Sequence, residues 1–233
     1  MTTGGGATPA AGAPALPRAI VFDWDNTLVD GWGAISAGLN AAFDAFGLPR
    51  WTLDEVKGRV RKSLRDSFPA IFGAEWERAR EVFYREVRTR HLDVLHSMPG
   101  TTGLIPALAT LAPLAVVSNK QGILLRAEAD RLGWTRHFRA LVGASDTRAD
   151  KPAPEPLRLA CAACGVLPGP EVWYVGDTGL DMQAARRVGC KAVLLGDAEH
   201  DGGVGAVDAD LVFPDAEHLR AAVTGLASAA RMR

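Results

Sequence analysis

Four short clusters in a chain of 233 residues carry side chains suited to chemistry. Asp23 and Asp25 flank Trp24 and lead into Asn26 and Thr27. Ser118, Asn119 and Lys120 form the second cluster, Lys151 with Pro152 the third, and Gly176, Asp177 and Asp181 the fourth. On an unbroken strand, Asp23 and Asp25 would project to the same side. Two like charges so close are costly unless a cation lies between them or one is protonated. Asp177 and Asp181 add two more, and Lys151 alone cannot balance four carboxylates. A hard divalent cation resolves that imbalance. Oxygen-only ligands in small number suit Mg2+, which keeps several waters and takes phosphate oxygens. With Lys151 and the Ser118 hydroxyl, such a site would neutralise and hold a phosphoryl group. One carboxylate could then act as nucleophile, and a second could move the proton.

The clusters follow short apolar runs at 19–22, 114–117, 140–142 (after a loop) and 172–175. Two further runs lie at 192–195 and, more weakly, 209–212. Runs this short suit buried parallel strands. Between them, apolar residues recur at helical spacing over 101–111, 123–132, 155–164 and 180–188, and an Ala-rich last helix is expected after Phe213. The alternation predicts an α/β fold: a doubly wound parallel-sheet core with helices on both faces. Ligands of such sheets bind beyond the carboxyl ends of the strands, where all four clusters would converge.

Residues 29–98 break the rhythm, with no strand run and helical patterns at 34–46 and 75–91. Thr52 and Glu55 are spaced as a capping box that opens another helix. The expected organisation is a tail over 1–17, a core from 18–28 and 99–233, and an inserted all-helical cap over 29–98.

Taken in order, Asp23-x-Asp25-x-Thr27, Ser118, Lys151-Pro152 and Gly176-Asp177-x-x-x-Asp181 resemble the four motifs of the haloacid dehalogenase (HAD) superfamily. The resemblance runs from Arg18 to about Leu226, and the insert resembles the C1-type cap of the phosphoglycolate phosphatase-like branch. The resemblance implies a HAD-like Rossmannoid core. It also implies that Asp23 is the nucleophile and a Mg2+ ligand, and that Asp25 is the general acid/base with its backbone carbonyl on the metal. Asp177 would be a further ligand, and Asp181 a ligand through water or a support. Lys151 would hold the nucleophile, Ser118 would bind phosphate, and the backbone N–H groups of Trp24 and Asn119 would donate to it. Thr27 would hold the motif loop. A carboxylate at position 25 favours phosphate-ester chemistry, because dehalogenases and phosphonatases of the superfamily lack it.

The implied activity is a Mg2+-dependent phosphatase for a small soluble monoester, such as phosphoglycolate, a sugar phosphate or a nucleotide. One alternative is a phosphomutase that returns phosphate from Asp23 to a sugar phosphate. Another is a non-catalytic binding or regulatory protein on the same scaffold, against which the complete motif set argues. In the cap, Arg59, Arg61, Lys62 and Arg65 read first as a solvated helix face. Lys62 and Arg65 are the candidates to face the cleft and pair with an anionic substrate.

Composition removes other classes. The 26 basic residues against 27 acidic ones leave a net charge of −1, with no basic excess for a nucleic-acid polymer or an anionic membrane. No run of about 18 apolar residues predicts a membrane span. The first 17 residues lack the basic start and apolar stretch of a secretory signal. Three cysteines are too few for a disulfide framework, which points to the cytoplasm. Cys161 and Cys164 lie within a helical pattern and read as small core residues, as does Cys190 ahead of a strand. His91 and His96 read as surface residues, and the expected state is a monomer or homodimer.

Overall fold

The computed structural model describes residues 15–60 and 64–232. The expected tail lies outside the described residues up to position 14, and Leu16 already packs against the core. Six parallel strands form one sheet in the order β5-β4-β1-β6-β7-β8. They are β1 (Ala19–Phe22), β4 (Leu114–Gln121), β5 (Phe138–Ala144), β6 (Val172–Gly176), β7 (Lys191–Leu195) and β8 (Leu211–Phe213). Each apolar run of the sequence becomes a strand. The central strands are buried on both faces, so alternate residues feed two separate cores.

Ile20 and Phe22 of β1 join Trp173 and Val175 of β6 on one face. Helices α5 (Thr101–Ala109), α6 (Gly122–Arg131) and α9 (Ala216–Arg231) cover that face through Leu108, Leu125 and Leu219. Ala19 and Val21 face the other way, where α7 (Pro154–Ala163) and α8 (Gly179–Val188) pack through Leu157, Cys161 and Met182. Side chains such as Phe22 and Leu108 are completely buried, each worth roughly 1.5–3 kcal/mol of transfer free energy. The sequence-expected α/β architecture is the observed one.

Among the described residues four α-helices lie between β1 and α5: α1 (Trp32–Ala45), α2 (Leu53–Arg59), α3 (Leu64–Phe72) and α4 (Trp76–Arg90). They share their own core, built on Leu39, Phe43, Phe68 and Phe83. The capping box at α2 forms as its spacing requires, with Thr52 and Glu55 exchanging side chain-to-backbone hydrogen bonds. Two features are absent from the sequence reading. Helix α3 carries Pro69 in its interior, a helix-breaking signal that tertiary packing of Phe68 and Phe72 overrides. The stem of the insert is an antiparallel ribbon of β2 (Val29–Asp30) and β3 (His96–Ser97), too short to show any periodicity. Among the described residues no helix is long and apolar enough to cross a membrane.

Helices α1 and α4 pack closely at Gly38. A Cβ there would lie 2.7 Å from Val87 Cγ2 and 2.8 Å from the Phe83 ring. Gly38→Val is therefore expected to overpack this contact by about 1–3 kcal/mol. Thermal unfolding should show a fall in Tm of at least a few degrees, and an unchanged Tm would contradict the close packing.

Candidate active site

The chain leaves β1 toward β4 and β5, then crosses to β6, β7 and β8 on the other side. Such a reversal opens a crevice at the strand ends, and β1, β4 and β6 are the neighbours there. Asp23 follows β1 directly, Ser118 to Lys120 close β4, and Asp177 follows β6. Lys151 precedes α7, and Asp181 stands in the first turn of α8. The Asn119 carboxamide exchanges hydrogen bonds with the Lys151 backbone, accepting from its N–H at 2.9 Å and donating to its carbonyl at 3.2 Å. This clamp fixes the lysine loop to the end of β4.

The acidic groups divide into two ionic clusters. In the first, carboxylate oxygens of Asp23, Asp177 and Asp181 all lie within 4.8 Å of one another. Lys151 Nζ donates to Asp23 at 2.6 Å and to Asp181 at 2.8 Å. Asp181 is held further by the Tyr174 hydroxyl at 3.1 Å and by the Thr178 hydroxyl at 2.6 Å. Thr27 donates to Asp177 at 2.7 Å, tying the first motif to the fourth. Gly176 is needed for this approach. A Cβ on it would stand 2.4 Å from the Asp181 side chain, so close packing explains the glycine.

The second cluster holds Asp25. Strand β1 ends at Phe22, and the loop passes through Asn26 in the left-handed region at φ 66°, a conformation asparagine tolerates. The premise of an unbroken strand therefore fails, and Asp23 and Asp25 bond to different lysines. Lys120 Nζ donates to Asp25 at 2.7 Å and to Glu128 at 2.6 Å. Glu128 also accepts from Trp24 Nε1 at 2.7 Å and pairs with His91 Nδ1 at 2.8 Å. His91, expected at the surface, is buried at the end of α4, because Glu128 on α6 gives its ring a partner. His96 is exposed as expected. Glu128 and the role of Lys120 were missed in the sequence. The available signal was Glu128's place on the apolar stripe of α6 beside Leu124 and Leu125.

Lys151 was counted alone against four carboxylates; in the structure Lys120 adds a second cation and Glu128 a fifth carboxylate. The negative excess remains. Burial pushes the Asp23 carboxyl up to about 7, with Lys151 opposing and Asp181 adding repulsion. Burial raises Asp25 as well, against Lys120, while Glu128 repels it. Asp177 is pushed well above the carboxylate range by burial and by Asp181 and Asp23. Against the burial penalty, Asp181 and Asp23 hold the Lys151 ammonium well above its ordinary value. Three crowded carboxylates, Asp23 and Asp181 buried and Asp177 half-buried, with oxygen donors only, fit a hard divalent cation such as Mg2+.

A cavity of about 160 Å³ opens over this site, between Asp23, Asp25, Ser118, Asn119 and Lys151 on one side and the inserted helices on the other. The Trp24 side chain points into the core instead, leaving its backbone beside Asp23. Lys62 lies outside the described residues. Arg65 donates to the Arg148 carbonyl at 3.0 Å and the Ser145 hydroxyl at 3.3 Å, so it ties α3 to the loop after β5. The three cysteines are buried and free, as their sequence positions suggested.

Residues 20–195 match the family of haloacid dehalogenase-like hydrolases. A phosphoglycolate phosphatase of Chromobacterium violaceum is 32% identical over 191 residues, covering 77% of this chain and 85% of that protein. An N-acetylmuramic acid 6-phosphate phosphatase of Pseudomonas aeruginosa is 30% identical, covering 76% of this chain and 81% of its own. A haloacid dehalogenase-like family hydrolase of Streptococcus pneumoniae shares the fold, with a TM-score of 0.77 at 20% identity over 88% of this chain and 97% of that one.

Two outcomes follow from the charges. A carboxyl raised from about 4 to about 7 binds its proton more tightly when folded, so the stability it contributes is lost as pH rises through that window. Metal-free protein should accordingly lose Tm between about pH 4 and 7. A fixed Mg2+ concentration should restore more stability at pH 8 than at pH 5, about 2.7 kcal/mol wherever it reaches 100 times Kd. A Tm series in chelator and in Mg2+ that is flat in both would sink this account. Separately, Lys120→Met strands the buried Glu128 and the half-buried Asp25 and should cost about 3–5 kcal/mol. Adding Glu128→Leu should recover part of that loss in a denaturant-melt double-mutant cycle, and additive losses would refute the coupling.

Proposed function

This chain belongs to the haloacid dehalogenase-like hydrolases, and from that premise we propose that it is a Mg2+-dependent phosphatase of small phosphate monoesters. The observation that carries the reading is the division of labour between Asp23 and Asp25. Both line one cavity, yet each is held by its own lysine. Two carboxylates with separate partners can take two roles.

Asp23 gives one oxygen to Lys151 and has the other for attack on phosphorus. Attack forms an Asp23–phosphorus bond and breaks the bond to the alcohol oxygen. The raised affinity of Asp25 for its proton equips it to protonate that oxygen as it leaves. Asp25 then takes a proton from water, whose oxygen attacks phosphorus and frees Asp23 with release of phosphate. The Ser118 hydroxyl and the backbone N–H groups of Trp24 and Asn119 hold the phosphoryl oxygens. When bound, Mg2+ would be held by Asp23, the Asp25 carbonyl, Asp177 and Asp181 (directly or through water), and would neutralise charge on the transferring group. Thr27 keeps Asp177 in place for that duty.

In this reading residues 18–28 and 99–233 form the core, and 29–98 form a cap that excludes bulk water. Three free buried cysteines support a reducing, cytoplasmic setting. The phosphatases named above support the reaction class. Asp23→Asn should lower phosphate release from an aryl phosphate in Mg2+ by on the order of 1,000-fold or more. Wild-type protein should release phosphate and alcohol in equal amounts. Persistence of activity in the variant would refute Asp23 as nucleophile.

A further inference from the structure

The contacts that hold Asp25 extend well beyond its own lysine. Lys120 Nζ donates to Asp25 Oδ1 at 2.7 Å. An ammonium on a flexible four-carbon stem fixes nothing unless it is itself anchored. Glu128 is that anchor, accepting from Lys120 Nζ at 2.6 Å. The same Glu128 oxygen accepts from Trp24 Nε1 at 2.7 Å, and Trp24 is the residue before Asp25. One carboxylate therefore holds Asp25 twice, at its side chain through Lys120 and at its backbone neighbour through Trp24. His91 Nδ1 takes the other Glu128 oxygen at 2.8 Å. A carboxylate paired with an ammonium only accepts, so Nδ1 is the donor. Both His91 and Glu128 are buried, and Glu128 is fixed at both of its oxygens.

A second observation concerns Gly31, which precedes α1. Its φ of −91° and ψ of −13° are open to any residue, so backbone freedom does not explain a glycine here. A Cβ at this position would lie 2.3 Å from Asp25 Oδ1 and 2.8 Å from its Cγ. The oxygen that Lys120 binds is therefore the one that Gly31 confines. Gly31 lies at the entry to the inserted helices and His91 caps the end of the last of them.

We propose that His91 and Glu128 are positioning residues of the reaction. Acting through Lys120 and Trp24, they hold Asp25 where it can transfer its proton, and Gly31 limits its movement by contact. The inference rests on the phosphatase reading and on Asp25 as its acid. Neither His91 nor Glu128 touches the substrate, and their contribution falls on the step that needs the proton.

The test is kcat/KM in Mg2+ for 4-nitrophenyl phosphate and benzyl phosphate, two monoesters of similar size. 4-Nitrophenolate is a stable anion that leaves with little help from an acid, whereas the benzyl alkoxide needs the proton. His91→Phe, Glu128→Leu and Gly31→Ala should each lower the value for benzyl phosphate by about 10-fold or more. Each should stay within about 3-fold of wild type on 4-nitrophenyl phosphate, which also shows that the variant has folded. Gly31→Ala removes no polar group, so it carries the test where a buried-charge variant does not fold. His91→Asn, whose amide can donate from the place of Nδ1, should return most of the loss. So should Glu128→Gln, which keeps an acceptor for Lys120. An equal loss on both esters, or none on either, would mean that these contacts only stabilise the fold and would overturn the inference. Wild-type turnover of 4-nitrophenyl phosphate alone would overturn proton transfer by Asp25, and the inference with it. Release of phosphate from neither ester would overturn the phosphatase reading itself.

Discussion

Five carboxylates and two lysines are gathered at the ends of adjacent strands, all of them removed from bulk water to a large degree. Burying an excess of negative charge is among the most unfavourable things a fold can do. The surrounding structure is arranged around that cost. Every member of the cluster is fixed by at least one donor: Thr27 on Asp177, Tyr174 and Thr178 on Asp181, Trp24 on Glu128. The donors come from strands, a helix cap and the motif loop, so the site is positioned by the rigid parts of the sheet. The negative charge that the protein's own cations leave unneutralised is what a bound divalent ion would offset.

The same constraint explains the composition of the neighbouring strands. β1 and β6 are apolar along their whole length up to the residue before Asp23 and Asp177. Tyr174 is the exception, and its hydroxyl serves Asp181 and the Val117 carbonyl. An apolar strand that stops abruptly at a carboxylate leaves no slack in where that carboxylate sits. Gly176 then removes the one Cβ that would push Asp181 off its lysine.

The strands and the four polar clusters were legible in the sequence, because a strand buried on both faces must be continuously apolar and its end must be polar. The partnering of charges was not. Asp25 separates from Asp23 only because the strand stops at Phe22 and the chain turns at Asn26, which alternation within a strand does not report. Glu128 and His91 lie 37 residues apart, on different helices, and each looks like an ordinary surface residue until the helices are packed. Helix α3 was hidden by Pro69, where aromatic burial outweighs local propensity. Spacing along one element is local information, whereas ion pairing across elements belongs to the tertiary fold.

That tertiary wiring links the two halves of the molecule. His91 ends α4 of the helical insert and binds Glu128 on α6 of the sheet-bearing part. Glu128 holds Lys120, and Lys120 holds Asp25. Separately, Arg65 of α3 ties down the loop that leads into Lys151, the partner of Asp23. Asp23 and Asp25 are thus connected, each through its own lysine, to different helices of the insert. Displacing the insert would break both connections, so the apolar wall and the ionic floor of the cavity are set by one packing arrangement.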